Sequence, residues 1–316
     1  MSFYEHATEF AGRRVVDVPL DGPLPPVDGP VAWRFSFWEF DETTTRGLNE
    51  KFREAFEAFV ERSGGEIEAL VIGAWGYAAF DEAPIAQLCE AASRLPRLRA
   101  LFLGDQTSEE CEVSWMRVGD VTPLLAAYPE LEILKVRGGS ELLTFDQVRH
   151  ESLRELVFES GGLPSGVVRE VLASEFPALT SLELWLGVDE YGGDTHVELL
   201  APLLAGELFP ALRHLGLRNS EIVDDIAVAL AAAPIVPRLE VLDLSLGTMT
   251  DAGAGALLAG QSLSHLRRLD LHHHYLSPEM SARVVAALPG VLVDVSDVQE
   301  ADEDDDEVYR YTAVGE

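Results

Sequence analysis

One pattern recurs along most of the chain and constrains its fold more than any other feature. It reads apolar-x-x-apolar-x-apolar, often with a proline two residues before the first apolar position. Seven copies are Leu98, Leu101, Leu103; Leu131, Leu134, Val136; Leu153, Leu156, Phe158; Leu179, Leu182, Leu184; Leu212, Leu215, Leu217; Leu239, Leu242, Leu244; and Leu266, Leu269, Leu271. Their first positions are 33, 22, 26, 33, 27 and 27 residues apart. Regular spacing of this length indicates an array of similar stacked units.

The spacing inside each copy predicts a short strand. Its last two apolar positions flank one variable residue, as in a strand that buries one side. Helical patterns fill the intervals, at 84–94, 121–127, 166–173, 197–205, 224–232, 252–258 and 278–288. Because strand and helix alternate in one direction, the sheet must be parallel with crossover helices. We therefore predict an α/β solenoid shaped like a horseshoe, with the parallel β-sheet on the concave face and the helices on the convex face.

The best copy adds a family resemblance. Residues 239–258, LEVLDLSLGTMTDAGAGALL, are similar to ribonuclease-inhibitor-type leucine-rich repeats. The resemblance covers residues 66–296 and is most specific over 209–276. The asparagine or cysteine expected just beyond each strand occurs only in places, as at Asn219, which predicts an irregular polar ladder. Such proteins are generally interaction modules, so the resemblance implies a non-catalytic, cytoplasmic protein of the bacterial leucine-rich-repeat kind.

The two ends differ from the repeats, as the ends of a solenoid must. Residues 1–65 predict a capping unit with strands at 13–18 and 31–40 and a helix over 45–62, stopped by Gly64 and Gly65. Phe52, Phe56 and Phe59 would lie on one face of that helix. Residues 297–316 contain the run QEADEDDDE. This composition predicts a disordered acidic tail, because it offers too little apolar surface to bury.

Charge limits the possible partners. The chain has 23 Lys and Arg against 55 Asp and Glu, which gives a net charge of −32. Such a surface repels phosphate backbones and anionic membranes, so we expect neither nucleic-acid nor membrane binding. It attracts basic protein surface instead. We find no signal-peptide pattern, no membrane-spanning run and only two cysteines, which favours a reduced cytoplasmic location. We expect a monomer with an unknown protein partner and no cofactor.

The residue between the last two apolar positions faces away from the core in each repeat. From the N-terminal end this column reads Val71, Phe102, Lys135, Val157, Glu183, Gly216, Asp243, Asp270, Asp294. One end is therefore apolar and the other acidic. With strands about 4.8 Å apart, neighbouring solvated aspartates would repel by about 1 kcal/mol per pair. A basic partner or a cation would relieve this repulsion, unless solvent screening is sufficient.

A second outward column holds Arg137, Glu159, Trp185, Arg218, Ser245 and His272. Tryptophan and arginine dominate binding hot spots, which makes Trp185 a candidate anchor beside Arg218. The alternative is a tryptophan tucked under its own loop. We predict partner contacts on the concave face and the strand-end loops from Phe102, Trp115, Lys135, Arg137, Glu183, Trp185, Arg218, Asp243, Asp270, His272 and Asp294.

Two segments that follow strands are longer than a minimal repeat requires. They are residues 104–120, which contain Trp115, and residues 187–196, GVDEYGGDTH. Long loops on a rigid scaffold often carry binding. The alternative is a solvated insertion in each case.

Metal binding is the second functional hypothesis. The run from His272 to His274 and the acidic loop 187–196 contain ligand side chains. Consecutive strand residues point to opposite faces, however, so the three histidines cannot converge without a turn. The loop also lacks EF-hand spacing. We assign no metal site and no catalytic residue, since the nucleotide-binding, zinc-protease and serine-hydrolase motifs do not occur.

Overall fold

Twelve strands form one sheet in the computed structural model, which describes residues 4–20, 22–38, 49–139, 142–304 and 307–315. They follow chain order without exception. The strands are β1 (Glu9–Phe10), β2 (Arg13–Asp17), β3 (Val31–Phe37), β4 (Ala69–Trp75), β5 (Ala100–Leu103), β6 (Ile133–Arg137), β7 (Glu155–Glu159), β8 (Ser181–Gly187), β9 (His214–Ser220), β10 (Val241–Asp243), β11 (Arg268–Asp270) and β12 (Leu292–Asp294). Only the pair β1 and β2 is antiparallel among these described strands.

Helices connect most successive strands, at the positions that the sequence predicts. The α-helices are α1 (Glu50–Ser63), α2 (Ile85–Glu90), α3 (Thr122–Ala127), α4 (Ser165–Ala173), α5 (Ala201–Leu204), α6 (Val223–Leu230), α7 (Asp251–Ala259) and α8 (Pro278–Ala287). Short 3-10 helices lie at Gly64–Glu66, Ala92–Arg94, Val113–Trp115, Asp189–Tyr191, Val197–Leu200 and Val236–Arg238. This succession of strand and helix along a long parallel sheet is consistent with a solenoid. Among the described residues, no helix is both long enough and apolar enough to cross a bilayer.

The repeated leucines form one buried row across the sheet. The strand register places Leu70, Leu101, Leu134, Leu156, Leu182, Leu215, Leu242 and Leu269 side by side. Each is at most 1% exposed. The same core contains the apolar residues of the helices, including Leu124, Val168 and Ile226. The helices therefore cover the leucine side of the sheet, and the predicted alternation of inward and outward residues is confirmed.

The shortest repeat spacing, 22 residues between Leu131 and Leu153, has a structural counterpart. In the described part of the connection from β6 to β7, residues 142–154 contain no helix. Leu143 and Phe145 are buried there instead, and Phe145 packs against Phe158 with ring centroids 5.8 Å apart. Aromatic volume thus fills the space that a helix fills elsewhere.

The N-terminal unit continues the repeat core. Phe35 on β3 contacts Phe52, Phe56 and Phe59 of α1, with ring centroids 5.3 to 5.4 Å apart. Asn49 caps this helix by accepting hydrogen bonds from the backbone N–H groups of residues 51 and 52. The helix ends at Ser63, next to the predicted glycine stop. The predicted start at Thr45 and the predicted strand end at 39–40 lie outside the described residues.

The C-terminal region differs from the disordered tail that the sequence predicts for 297–316. Strands β13 (Asp302–Asp304) and β14 (Glu307–Tyr309) form an antiparallel pair. Beyond them, residues 311–315 lie against the loops that follow the strands of the sheet, and Val314 is buried. The physical reason is tertiary: this short segment gains hydrogen bonds and apolar contacts from distant repeats, which composition alone does not reveal.

We expect Leu215→Ala to lower the free energy of unfolding by about 2 to 5 kcal/mol, because it leaves a cavity in the centre of the leucine row. Val228→Ala is the matched control, since Val228 on α6 is 59% exposed and should change stability by less than about 0.5 kcal/mol. Urea unfolding monitored by circular dichroism measures both. Equal effects of the two substitutions would contradict the packing described here.

Candidate functional site

The outward column lies on the face of the sheet opposite the helices, in the order that the sequence predicts. Strand pairing aligns Val71, Phe102, Lys135, Val157, Glu183, Gly216, Asp243, Asp270 and Asp294. Arg137 is likewise paired with Glu159, and Trp185 with Arg218. The sequence thus predicts the positions of these residues correctly. Many of these side chains are nevertheless buried, because other segments of the chain cover much of this face.

Phe102 is completely buried, contrary to the display that the sequence suggests. The N-terminal segment covers it: Phe10 lies 5.7 Å from its ring centroid, and Ala7 and Phe10 share its apolar cluster. Lys135 lies over the same ring, with Nζ 4.5 Å from the centroid. Phe102 is therefore a packing residue in this structure, and a partner could not reach it without displacing the N-terminal segment.

Lys135 and Arg137 belong to a buried ion-pair cluster around Glu159. Lys135 Nζ lies 2.7 Å from Glu159 Oε1, and Arg137 Nε donates to Glu159 Oε2 at 2.8 Å. Burial alone would raise the pKa of Glu159, but the charges and hydrogen bonds of Lys135 and Arg137 lower it to about 2. All three residues are at most 8% exposed. They stabilise the sheet internally and offer almost no surface to a partner.

A second cluster joins Glu183, His214, Arg218 and Asp243. The Arg218 guanidinium lies 3.0 Å from Glu183 Oε2 and 3.3 Å from Asp243 Oδ2. Burial would raise the pKa of Glu183, but His214 and Arg218 lower it to about 2. For Asp243 burial outweighs the attraction of Arg218, and its pKa is raised. Arg218 thus supplies the positive charge that this part of the column requires.

The third cluster lies at the C-terminal end of the same face. Arg268 contacts Asp270 Oδ2 at 2.5 Å and Asp294 Oδ2 at 3.6 Å, while His272 Nδ1 lies 2.7 Å from Asp270 Oδ1. Burial would raise the pKa of Asp270, but its contacts with His272 and Arg268 lower it to about 2. The predicted row of repelling aspartates is therefore compensated by Arg218 and Arg268. Asp294 and His272 remain half-buried at the open end.

The histidine run does not form one site. His274 is buried, and its two ring nitrogens contact the Val295 carbonyl and the Leu276 backbone N–H. His273 has a positive φ of 59°, and its ring contacts Asp297. The three rings thus meet different partners. In the acidic loop 187–196, Asp194 accepts two hydrogen bonds from Ser165 and links this loop to the start of α4.

Two other groups of described residues bring potential metal ligands within 4.8 Å of one another: Glu183, His214 and Asp243, and Asp270, His272 and Asp294. In both groups an arginine already contacts two carboxylates. A metal ion would have to displace that guanidinium, so these groups fit a cation poorly.

We accordingly expect excess zinc, manganese or calcium to leave the unfolding temperature of the EDTA-treated protein unchanged. Ligand binding to the folded state raises this temperature in proportion to the logarithm of ligand concentration. Differential scanning fluorimetry with each ion is the measurement. A concentration-dependent rise that EDTA reverses, and that is lost when Asp243 or Asp270 is replaced by asparagine, would show that an ion does bind at one of these groups.

Trp185 is 1% exposed and does not lie on the surface. Arg218 stacks over its indole at 4.7 Å, and Val113, Leu246 and Val314 complete its apolar surroundings. Trp185 is covered, as in the second interpretation that the sequence offers, but the residues that cover it do not belong to its own loop. The cover comes from a distant repeat and from the C-terminal end of the chain.

The two long loops meet at the carboxyl ends of the strands. They line one cleft with a volume of about 960 Å³, which we call the strand-end cleft; its walls include Ser114, Trp115, Arg117, Leu142, Tyr191 and Asp194. A second cleft of about 610 Å³ shares Arg117 and Leu142 with it. Trp115 is 55% exposed. The sequence identified both loops but gave no signal that they would meet, and it did not identify Arg117 or Leu142.

An aromatic patch extends this edge toward the N-terminus. It consists of Trp38, Tyr77 and Phe80, which follow β3 and β4; Tyr77 lies 6.2 Å from Trp38 and 5.3 Å from Phe80 between ring centroids. Trp38 and Phe80 are more than half exposed. The backbone N–H of Arg117 donates to the Ala78 carbonyl at 2.8 Å, which joins this patch to the cleft loop.

The fold and this edge define an α/β repeat protein with one long parallel sheet and a loop-lined surface at its strand ends. The chain belongs to the same family as a protein from Bacteroides fragilis of known crystal structure. The two are 31% identical with a TM-score of 0.74, over 85% of this chain and 77% of that one. An internalin from Listeria monocytogenes aligns at 12% identity and a TM-score of 0.37, over 85% of this chain and 73% of that one. No family model and no curated protein matches the sequence.

The Glu159 cluster generates a prediction about acid stability. The folded-state pKa of Glu159, about 2, lies below the ordinary value of 4.5. The stability that its ionised carboxylate contributes is therefore complete above pH 4.5 and is lost as the pH falls toward 2. We expect Glu159→Gln to lower the free energy of unfolding by about 3 to 5 kcal/mol at pH 7, because it leaves two buried cations poorly compensated.

The deficit of Glu159→Gln relative to wild type should shrink between pH 4.5 and 2, as the wild-type carboxylate takes up its proton. Urea unfolding at a series of pH values measures it. Glu54→Gln serves as the control, since Glu54 is exposed on α1. A deficit that stays constant down to pH 2 would show that charge compensation is not the reason for the loss.

Proposed function

We propose that this protein is a non-catalytic interaction module that binds another protein through the edge where the strands of the sheet end. This strand-end edge comprises the strand-end cleft and the aromatic patch of Trp38, Tyr77 and Phe80. One observation carries the proposal: the two long loops converge on a cleft that presents an exposed tryptophan. Trp115 lies in that cleft, and the aromatic patch of Trp38, Tyr77 and Phe80 adjoins it. Partly exposed tryptophan and tyrosine side chains next to arginine are the residues that provide most binding energy at protein interfaces.

The strand-end edge is favoured over the face opposite the helices. On that face Phe102, Arg137, Trp185 and Asp270 are each at most 2% exposed. Substituting them would disturb packing or ion pairs and would not report on a partner. The edge, in contrast, carries loops on a rigid sheet, the arrangement that most scaffolds use for recognition.

A basic partner agrees with the charge of the chain and of the cleft. The net charge is −32, and the cleft loop places Asp189, Glu190 and Asp194 in exposed positions. Long-range attraction of this sign accelerates association and weakens with salt. The same charge argues against nucleic acid as the partner.

We further propose that the repeats are of the ribonuclease-inhibitor type and that the stack bends with its sheet on the inner side. Helices connect most strands, and a helix is wider than a strand, so stacking them on one side favours this curvature. The bend would bring the N-terminal aromatic patch and the strand-end cleft toward one ligand.

We expect Trp115→Ala to reduce recovery of a native partner by roughly 10- to 30-fold, as loss of a hot-spot residue does. The measurement is affinity capture from the native host with quantitative mass spectrometry, followed by titration of the identified partner. Val228→Ala provides the control, because it removes an exposed aliphatic side chain from α6, away from the edge.

The affinity for a partner bound at this edge should also fall as the salt concentration rises, and it should fall more steeply the more charge pairs the interface contains. Equal recovery by wild type and Trp115→Ala, with both proteins folded, would exclude the strand-end cleft as the contact surface.

A further inference from the structure

The C-terminal segment, residues 311–315, occupies a groove built from separate repeats. We define the groove by Ser114, Trp185, Asn219, Leu246, His273 and Tyr275. These residues come from the loop after β5, from β8 and β9, and from the turns after β10 and β11. The segment therefore crosses the ends of several strands, and Asn219 and Val314 are 95 residues apart in sequence.

The groove contacts the backbone of the segment at successive residues. Val314 donates its N–H to Asn219 Oδ1 at 2.9 Å, and Asn219 Nδ2 donates to the Val314 carbonyl at 2.6 Å. The Ala313 N–H donates to the Leu246 carbonyl at 2.9 Å. Because these contacts engage main-chain atoms, any extended peptide could make them.

Contacts at the two ends of the segment continue this pattern. The Tyr311 N–H donates to Tyr275 Oη at 2.7 Å, and Tyr275 Oη donates to the Tyr311 carbonyl at 3.0 Å. Ser114 Oγ donates to the Gly315 carbonyl at 3.3 Å. Gly315 also lies beside Tyr191, a wall of the strand-end cleft. The groove thus runs into the cleft that we assign to partner binding.

One side chain of the segment provides an apolar anchor. Val314 is 6% exposed and packs with Val113, Trp185 and Leu246, whereas Tyr311 is 58% exposed and Ala313 is also exposed. A pocket for one small aliphatic side chain, flanked by backbone hydrogen bonds, is a common arrangement for reading short extended peptides.

Asn219 is held in position by contacts outside the segment as well. Its side chain is fully buried, and its φ is +48°, a left-handed conformation that asparagine adopts more readily than most residues other than glycine. Its Nδ2 also donates to the Ser160 carbonyl at 3.2 Å, which fixes the amide orientation. The buried amide is thus held by the Ser160 carbonyl and pairs through both its oxygen and its nitrogen with the backbone of Val314.

We propose that this groove is a recognition site for an extended peptide with a small aliphatic anchor, and that residues 311–315 are its intramolecular occupant. The proposal rests on the proposed function and names the partner's contact element: an extended segment that competes with the C-terminal segment. The tether gives that segment an effective concentration on the order of millimolar, so a free peptide must displace it. Occupancy by the chain itself therefore limits access of the partner.

The test uses residues 1–316 with Val314→Asp, a change that places a charge in the apolar pocket and should release the segment. The probe is a fluorescein-labelled peptide with the sequence of residues 309–316, YRYTAVGE. We expect the Val314→Asp chain to bind it at least about tenfold more tightly than wild type, because the tethered competitor is removed. Fluorescence anisotropy is the measurement. Failure of the folded Val314→Asp chain to bind the peptide would overturn the proposal.

Three matched changes test the groove itself. A peptide with aspartate in place of its valine should not bind the Val314→Asp chain. Adding Asn219→Gly should weaken peptide binding by about tenfold, since glycine keeps the positive φ but removes the amide contacts. Tyr275→Phe should weaken it as well, and this substitution leaves the buried core untouched. Binding that is indifferent to all three changes would place the peptide elsewhere.

Limited trypsinolysis reports on the segment without any probe. Cleavage after Arg310 requires the following residues to leave the groove, so Val314→Asp should accelerate it relative to wild type. Equal cleavage rates would show that the segment is not held. A wild-type dimer that dissociates on Val314→Asp would show that the segment docks on a second copy, contrary to the proposal.

The peptide experiment needs no native partner, so it separates the two proposals. If partner capture depends on Trp115 but the peptide does not bind, only the groove assignment fails. If the peptide binds but capture is unaffected by Trp115→Ala, the strand-end cleft is excluded and the groove remains.

Discussion

The row of leucines from Leu70 to Leu269 sets the register of the whole sheet. No repeat can bury its own apolar side, so each strand must align its central leucine with that of its neighbours. This alignment fixes the register of the parallel strands. Since strand side chains alternate, it also fixes which residues face away from the helices. The position of every charged cluster on that second face follows from apolar packing on the first.

Because this information is periodic, the sequence predicts it well. The strand order, the crossover helices and the outward column from Val71 to Asp294 all follow from spacing. The exposure of the outward side chains cannot be predicted from the repeat spacing, because it depends on segments that lie outside the repeats. Phe10 covers Phe102, and Val314 covers Trp185. A short apolar segment at either end of the chain gives no sign of where it will dock.

The ion pairs on the sheet face could not be predicted from the sequence either, because most of their partners come from different strands. Read along one column, Asp243, Asp270 and Asp294 look like a repelling row. In the folded chain, Arg218 and Arg268 reach across to them, and Lys135 and Arg137 do the same for Glu159. Several of the few basic side chains of this very acidic chain thus form ion pairs on the sheet face itself. The uncompensated negative charge is left mainly to loops and surface, where, under the proposed function, it would attract a basic partner at longer range.

Coverage of the sheet face also changes where function can reside. A repeat protein with a bare sheet would bind across its strands, and the sequence alone suggests that arrangement. Here the N-terminal segment and residues 311–315 occupy parts of that face and its margin, while loops 104–120 and 187–196 build a cleft at the strand ends. Both the cleft and the occupied groove are assembled from residues far apart in sequence. The stacked leucines make this possible, since only a fixed register holds Ser114, Asn219 and Tyr275 in line for one extended segment.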